Sequence, residues 1–139
     1  MSRVVVGVGH PARGDDAAGL EVARLVQAGG VMAASPIELL TAWEGADEAI
    51  VVDAARSGAV PGTVHRFDAT AGPLPTGLLA ASTHAIGLAE VVELARVLGR
   101  LPKRLVVFGI EVADVAPGQP LSPSVAHAVQ RIVEEIDRA

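Results

Sequence analysis

The sequence contains no cysteine, very few aromatic residues and no excess of basic residues, and each absence excludes a class of protein. Without cysteine the chain has no disulfide, no thiolate metal site and no cysteine nucleophile. Aromatic residues make up only 2% of the chain, so its core must be built from Val, Leu and Ala. The formal net charge is −5 and the Lys and Arg residues are scattered, which argues against a nucleic acid as partner.

Long apolar runs are absent as well. No stretch approaches the roughly 20 consecutive apolar residues that a membrane-spanning helix requires. The chain starts with Met1, Ser2 and Arg3 and passes directly into a short apolar run, without the pattern of a secretory signal peptide. These features predict a cytoplasmic protein that does not associate with membranes.

Short runs rich in β-branched residues alternate with segments of helical periodicity along the chain. Strands are predicted at 4–6, 31–34, 49–52, 63–68 and 105–110, and helices at 17–28, 36–43, 88–98 and from 122 onward. This alternation predicts an α/β fold, a three-layer sandwich whose central sheet is mostly parallel and carries helices on both faces. The strand at 63–68 is expected to be antiparallel and to lie at an edge.

No linker, repeat or charge block interrupts this pattern, so residues 1–139 are expected to form one domain. The last helix is expected to bury one apolar face, which consists of Val125, Ala128, Val129, Ile132, Val133 and Ile136.

Polar residues follow several of the predicted strands, at the edge where ligands collect in open α/β sheets. Asp15 and Asp16 lie in the loop after the first strand, Asp53 ends the third strand, and His84 precedes the third helix. Two carboxylates and one imidazole suit a first-row metal ion with open coordination positions. Because the side chains of adjacent residues diverge, only one of the two neighbouring acids is expected to enter the cleft.

Each of these residues also has a purely structural interpretation. An Asp that opens a helix usually caps it, and this is the favoured reading of Asp15. An Asp after a strand is often a turn former, and a lone His before a helix is often a structural hydrogen-bond donor, which leaves a structural role open for Asp53 and His84.

Four further polar residues were considered for the site. His10 lies in the loop after the first strand, where it is a candidate to touch the site. Glu111 follows the last strand at the same edge and is expected to be a solvated loop carboxylate. His65 and His127 are expected at the surface.

The loop after the first strand also fits the loose dinucleotide-binding pattern G-x-G-x-x-A, from Gly7 to Ala12. Two observations argue against a dinucleotide there. The helix that would receive the pyrophosphate begins with two carboxylates, which repel an anion. The acidic residue expected at the end of the second strand is missing from 31–34.

Four sequence blocks stand out in order along the chain. They read G-V-G-H-P-A-R-G-D-D-A-A-G at 7–19, V-V-D-A at 51–54 with P-G-T at 61–63, S-T-H-A-I-G-L at 82–88, and F-G-I-E at 108–111 with L-S-P at 121–123. Together they resemble the motifs of the hydrogenase maturation proteases: G-x-G-N with G-D-[DE], then D-A with P-G-T, and S-x-H-x-x-G-L. The blocks cover nearly the whole chain.

The resemblance implies an endopeptidase that removes the C-terminal extension from the nickel-loaded large-subunit precursor of a nickel–iron hydrogenase. Its metal-binding and catalytic residues, carried over motif by motif, are Asp16, Asp53 and His84. The nickel is expected to be supplied by the substrate, other divalent metals are expected to substitute for it, and the protein is expected to be a monomer.

Two questions stay open at the level of sequence. Peptide cleavage is open to a metal that polarises the carbonyl or activates water, and to a carboxylate that acts as general base while nickel serves recognition. The same fold and ligands would also suit a non-catalytic nickel-binding chaperone or docking factor.

The chain departs from the family pattern at three places. His10 stands where the family has Asn, Ala17-Ala18 lacks the Gly that often follows the acidic pair, and the stretch 29–35 is short. The resemblance implies that this stretch helps to contact the large subunit, so its shortening bears on the choice of partner.

Overall fold

The computed structural model of the protein describes residues 2–79 and 86–139. Its strands are Arg3–Val8 (β1), Val31–Ala33 (β2), Glu48–Ala55 (β3), Val64–Asp68 (β4) and Arg104–Glu111 (β5). Its α-helices are Ala18–Leu25 (α1), Leu39–Ala42 (α2), Leu88–Val97 (α3) and Pro123–Arg138 (α4). Single 3-10 turns, Gly14–Ala17 and Pro36–Glu38, lead into α1 and α2.

The strands form one sheet in the order β2-β1-β3-β5-β4. The pairs β1–β2, β1–β3 and β3–β5 are parallel, whereas β4 runs antiparallel to β5 at the edge. The predicted three-layer architecture and the antiparallel edge strand are therefore confirmed.

Apolar side chains alternate along the strands and supply a separate core on each face of the sheet. One core packs under α2 and α3 and contains Val6, Val8, Leu39, Trp43, Val51, Leu88, Val91, Val92, Leu105 and Val107. The other packs under α1 and α4 and contains Val5, Val22, Ile50, Val52, Val106, Phe108 and Ile110 with the buried face of α4. All six residues predicted for that face of α4 are buried, as expected.

Most element boundaries differ from the prediction by one or two residues, whereas the carboxyl ends of α1 and β3 differ by three. α1 ends at Leu25 rather than at residue 28, because Val26 turns into an extended conformation and the Gln27 amide donates to the Asp137 carboxylate at 3.0 Å. β3 continues past Val52 to Ala55, so Asp53 lies inside the strand and not at its end. The reason is tertiary, since β5 pairs with β3 as far as Glu111.

Glycines allow α1 to lie directly on the strands. A Cβ atom at Gly19 would stand 2.2 Å from the carbonyl oxygen of Val52, and one at Gly7 would stand 2.0 Å from the carbonyl oxygen of Gly19. Both separations are far below van der Waals contact, so only glycine permits this approach. The contact brings the start of α1, and the loop before it, against the carboxyl ends of β1 and β3.

None of the helices described in 2–79 and 86–139 has the length and apolar character needed to cross a membrane.

Candidate functional site

The strand order creates a crevice between the carboxyl ends of β1 and β3. From β1 the chain crosses through α1 on one face to β2, and from β2 it returns through α2 on the other face to β3. The connection that leaves β1 leads to β2 on one side, whereas the connection that leaves β3 leads to β4 and β5 on the other side, and ligands of open α/β sheets bind at such a switch point.

Asp16 lies at one side of this crevice, in the 3-10 turn that follows β1. It is half-buried, and its amide donates to the Arg13 carbonyl at 3.0 Å. A Cβ atom at Gly9 would stand 2.1 Å from the Asp16 carbonyl oxygen, so Gly9 lets the turn lie across the end of β1.

Asp53 lies at the other side, and only 1% of its surface is exposed. One carboxylate oxygen accepts a hydrogen bond from the Ala54 amide at 2.8 Å. By strand alternation Asp53 shares its face of β3 with Val51 and Ala55, which belong to the core under α2 and α3. Its side chain is therefore on the side of the sheet where α3 begins.

His84, the third predicted site residue, lies outside the described residues. The residues that flank 80–85 are described. Leu79 forms an antiparallel bridge with Ala55, and the Arg56 amide donates to the Leu78 carbonyl at 2.7 Å. Leu79, the last described residue before this segment, thus lies beside Ala55, which is two residues after Asp53 on β3. After the segment, α3 begins at Leu88.

Within 2–79 and 86–139, no group of three or more His, Asp or Glu side chains is arranged to hold a metal ion. The described residues contribute two carboxylates to the candidate site, Asp16 and Asp53. These are hard oxygen donors of the kind that first-row divalent ions accept together with imidazole.

Asp15, the acid next to Asp16, is fully buried. One carboxylate oxygen accepts from the amides of Ala113 and Asp114 at 2.8 and 2.9 Å and from the Ser122 hydroxyl at 2.8 Å. The other oxygen accepts from the Ser122 amide at 2.7 Å. Burial raises the pKa of Asp15, but these hydrogen bonds outweigh it and hold the pKa below its ordinary value.

The expectation that Asp15 caps a helix was wrong, because its carboxylate accepts its hydrogen bonds from Ala113, Asp114 and Ser122, in the loop between β5 and α4. Asp15 is thus fully buried, whereas the adjacent Asp16 is half-buried.

Glu111 is the second correction. It was expected to be solvated, but it is 3% exposed at the end of β5. Its carboxylate accepts from the amide and hydroxyl of Ser57, at 2.9 and 2.6 Å, and contacts Nε2 of His65 at 3.0 Å. Burial raises its pKa, and the hydrogen bonds from Ser57 and His65 bring it below the ordinary value.

His65 was expected at the surface, yet its side chain is only 19% exposed because Glu111 holds it against the sheet. His127 is exposed on α4, as expected. His10 is also exposed, and its Nδ1 accepts a hydrogen bond from the Ala12 amide at 3.2 Å. This contact is within its own loop.

Comparison with known proteins shows which family the chain resembles. Residues 19–139 match a family model described as hydrogenase maturation protease. Two curated relatives are hydrogenase expression/formation proteins HupD. The protein from Bradyrhizobium diazoefficiens is 37% identical over 102 residues, 73% of this chain and 52% of the relative. The protein from Thiocapsa roseopersicina is 28% identical over 141 residues, 94% of this chain and 64% of the relative. The chain thus spans between half and two thirds of the length of these relatives.

Solved structures share the fold over nearly the whole chain. The hydrogenase maturating endopeptidase HybD from Escherichia coli is 25% identical with a TM-score of 0.77, covering 98% of this chain and 90% of that one. The [NiFe] hydrogenase maturation protease HybD from Thermococcus kodakarensis is 24% identical with a TM-score of 0.79, covering 99% and 98%.

Proposed function

The chain belongs to the hydrogenase maturation protease family, and on this premise we propose that it is an endopeptidase that removes the C-terminal extension from the nickel-loaded large-subunit precursor of a nickel–iron hydrogenase. The observation that carries the proposal is the pair of carboxylates, Asp16 and Asp53, at the switch point between β1 and β3.

The proposed ligands of the substrate's nickel are Asp16, Asp53 and His84. Asp16 approaches the crevice from the turn before α1, and Asp53 faces the side on which α3 starts. His84 stands four positions before Leu88, the first residue of α3, in a segment that starts beside Ala55. The placement of Asp16 in the turn after β1 and of Asp53 on β3 supports a site at the carboxyl ends of these two strands, with open positions for the precursor's own ligands.

Ligation of this kind would make cleavage conditional on nickel. Only a precursor that already carries the ion would be held in a fixed orientation, and correct orientation alone lowers a reaction barrier by several kcal/mol, roughly 7–11 in favourable systems. Carboxylates at the crevice would also supply an oxygen base for the attacking water. The same two residues therefore serve both routes to peptide cleavage, metal-assisted and carboxylate-assisted.

We expect Asp16→Asn, Asp53→Asn and His84→Ala each to lower the processing rate by about 100-fold or more, because each removes a group that aligns the substrate. Asp16 is half-buried and Asn is nearly isosteric with Asp, so the melting temperature of Asp16→Asn should change little. The measurement is the loss of the C-terminal extension from purified nickel-loaded precursor, followed by mass spectrometry. Matched controls are Glu134→Gln and His127→Ala, which change an exposed carboxylate and an exposed imidazole on α4.

Two results would contradict the proposal. Processing at the wild-type rate in all three variants would show that these residues do not form the active site. A wild-type protein that binds the loaded precursor but leaves its C-terminus intact would instead identify a docking factor.

A further inference from the structure

Two loops at the carboxyl edge of the sheet are joined to each other through their backbones. One is the loop after β1, residues 9–17, and the other is the loop between β5 and α4, residues 112–122. The Asp15 amide donates to the Asp114 carbonyl at 2.7 Å, and the Gly118 amide donates to the Ala12 carbonyl at 2.9 Å. Each loop therefore limits the movement of the other.

Gly14 shows how closely the loops approach. Its φ is +51°, and a Cβ atom there would stand 2.6 Å from the Asp114 carbonyl oxygen. A side chain at this position would meet both a strained backbone and a steric overlap. The junction thus depends on glycine immediately before the two acids.

The Asp15 side chain completes the junction. Its four hydrogen bonds reach two separate points of the 112–122 loop, Ala113-Asp114 and Ser122. All four partners are donors, and a carboxylate is the side chain that accepts at both of its ends. An amide would direct its NH2 group at one of these donors, so Asn does not replace Asp here.

We propose that Asp15 is the positioning residue of the candidate site. It locks the turn that carries Asp16 against the 112–122 loop, and so sets the place and direction of the Asp16 carboxylate at the crevice. This inference rests on the proposed function, in which Asp16 ligates nickel. Groups that orient a metal ligand commonly change metal affinity by about 10- to 100-fold when they are removed.

The test uses the full chain with three variants. Asp15→Asn breaks the junction, Ser122→Ala removes only the hydroxyl donor, and Trp43→Phe is the control for stability. Trp43 is buried on the other side of the molecule, where its indole N–H donates to the Arg100 carbonyl at 3.1 Å. Each protein is titrated with nickel chloride by calorimetry, assayed on nickel-loaded precursor, and followed by amide hydrogen exchange, well below the lowest melting temperature.

We expect Asp15→Asn to weaken nickel binding and slow processing by about 10- to 100-fold, less than Asp16→Asn does. It should also speed exchange in both 14–17 and 112–122. Ser122→Ala should act in the same direction with a smaller effect. Trp43→Phe should lower the melting temperature while nickel affinity, processing and exchange in the two loops stay at wild-type values.

The outcomes separate the two proposals. If Asp16→Asn abolishes nickel binding and processing but Asp15→Asn leaves them unchanged, the positioning role is overturned. If Asp16→Asn has no effect on either, the proposed site itself fails. In that case hydrogen exchange in Asp15→Asn still tests whether Asp15 joins the two loops. Unchanged exchange in 112–122 would show that it does not.

Discussion

The two ends of the central sheet carry charged residues in opposite ways. At the amino end, Arg3, Glu48 and Arg104 stand side by side on β1, β3 and β5, and Lys103 faces Asp47. Most of these charges are solvated: the Lys103 side chain is 88% exposed and its nitrogen lies 3.8 Å from the carboxylate, although Glu48 is only 16% exposed beside Arg104. Such ion pairs contribute roughly 0–1 kcal/mol each.

At the carboxyl end the charges are buried. Asp15, Asp53 and Glu111 are the buried charged residues of the described chain, and all three lie at this end. A buried carboxylate is costly unless donors satisfy it. Asp15 accepts from the loop between β5 and α4, Glu111 has Ser57 and His65 as partners, and Asp53 accepts from the Ala54 amide. Charged side chains at the amino end of the sheet therefore mostly contact water, whereas those at the carboxyl end are buried and held in fixed positions.

The largest expected effect concerns packing at the two ends. Gly19→Ala would place a Cβ atom 2.2 Å from the Val52 carbonyl, which should cost about 3 kcal/mol or more. Gly45→Ala, before β3 at the amino end, has no atom within 4 Å of the added Cβ and meets only the strain of its φ of +79°, about 1 kcal/mol. Urea unfolding measures both. Equal losses of unfolding free energy in the two variants would contradict the proposed difference in packing between the two ends of the sheet.

Neutralising one carboxylate at each end tests the electrostatic side of the comparison. Glu111→Gln should lower the free energy of unfolding by about 2 kcal/mol, because charge-assisted hydrogen bonds from Ser57 and His65 are lost in a buried setting. Glu48→Gln should change it by about 0.5 kcal/mol, since its partner Arg104 is mostly exposed. A larger loss at Glu48 than at Glu111 would reverse our interpretation.

The smallest effect is a difference in pH dependence. The pKa of Glu111 is lowered in the folded state, so its stabilisation is complete above its unfolded value of 4.5 and is lost as the pH falls through the folded pKa. The stability gap between wild type and Glu111→Gln should therefore shrink as the pH falls from about 7 to about 3. Thermal unfolding across this range measures it, with Glu48→Gln as control. A gap that widens on acidification would mean that the carboxyl group is protonated in the native state.

Much of the fold followed from local pattern. Runs such as Val4-Val5-Val6 and the 3.6-residue spacing of the α4 face identify buried strands and amphipathic helices, because burial on one face imposes that periodicity. Ser35-Pro36 predicted the start of the helical segment that leads into α2. There the Glu38 carboxylate accepts a hydrogen bond from the Ser35 amide at 2.9 Å. Boundaries were less accurate at α1 and β3, since a neighbouring helix or strand determined where those elements end.

The sequence by itself determined the fold class, the family and the three positions proposed to ligate nickel, because apolar spacing and short motifs are local properties of the chain. The tertiary structure decided that Asp15 is buried against the loop between β5 and α4 and that Glu111 is buried. The donors that occupy Asp15 are 98 to 107 residues away, and those of Glu111 are 46 and 54 residues away. No local pattern encodes partners at such separations, so the folding of the sheet is what buries Asp15 as a structural anchor while its neighbour Asp16 stays half-buried.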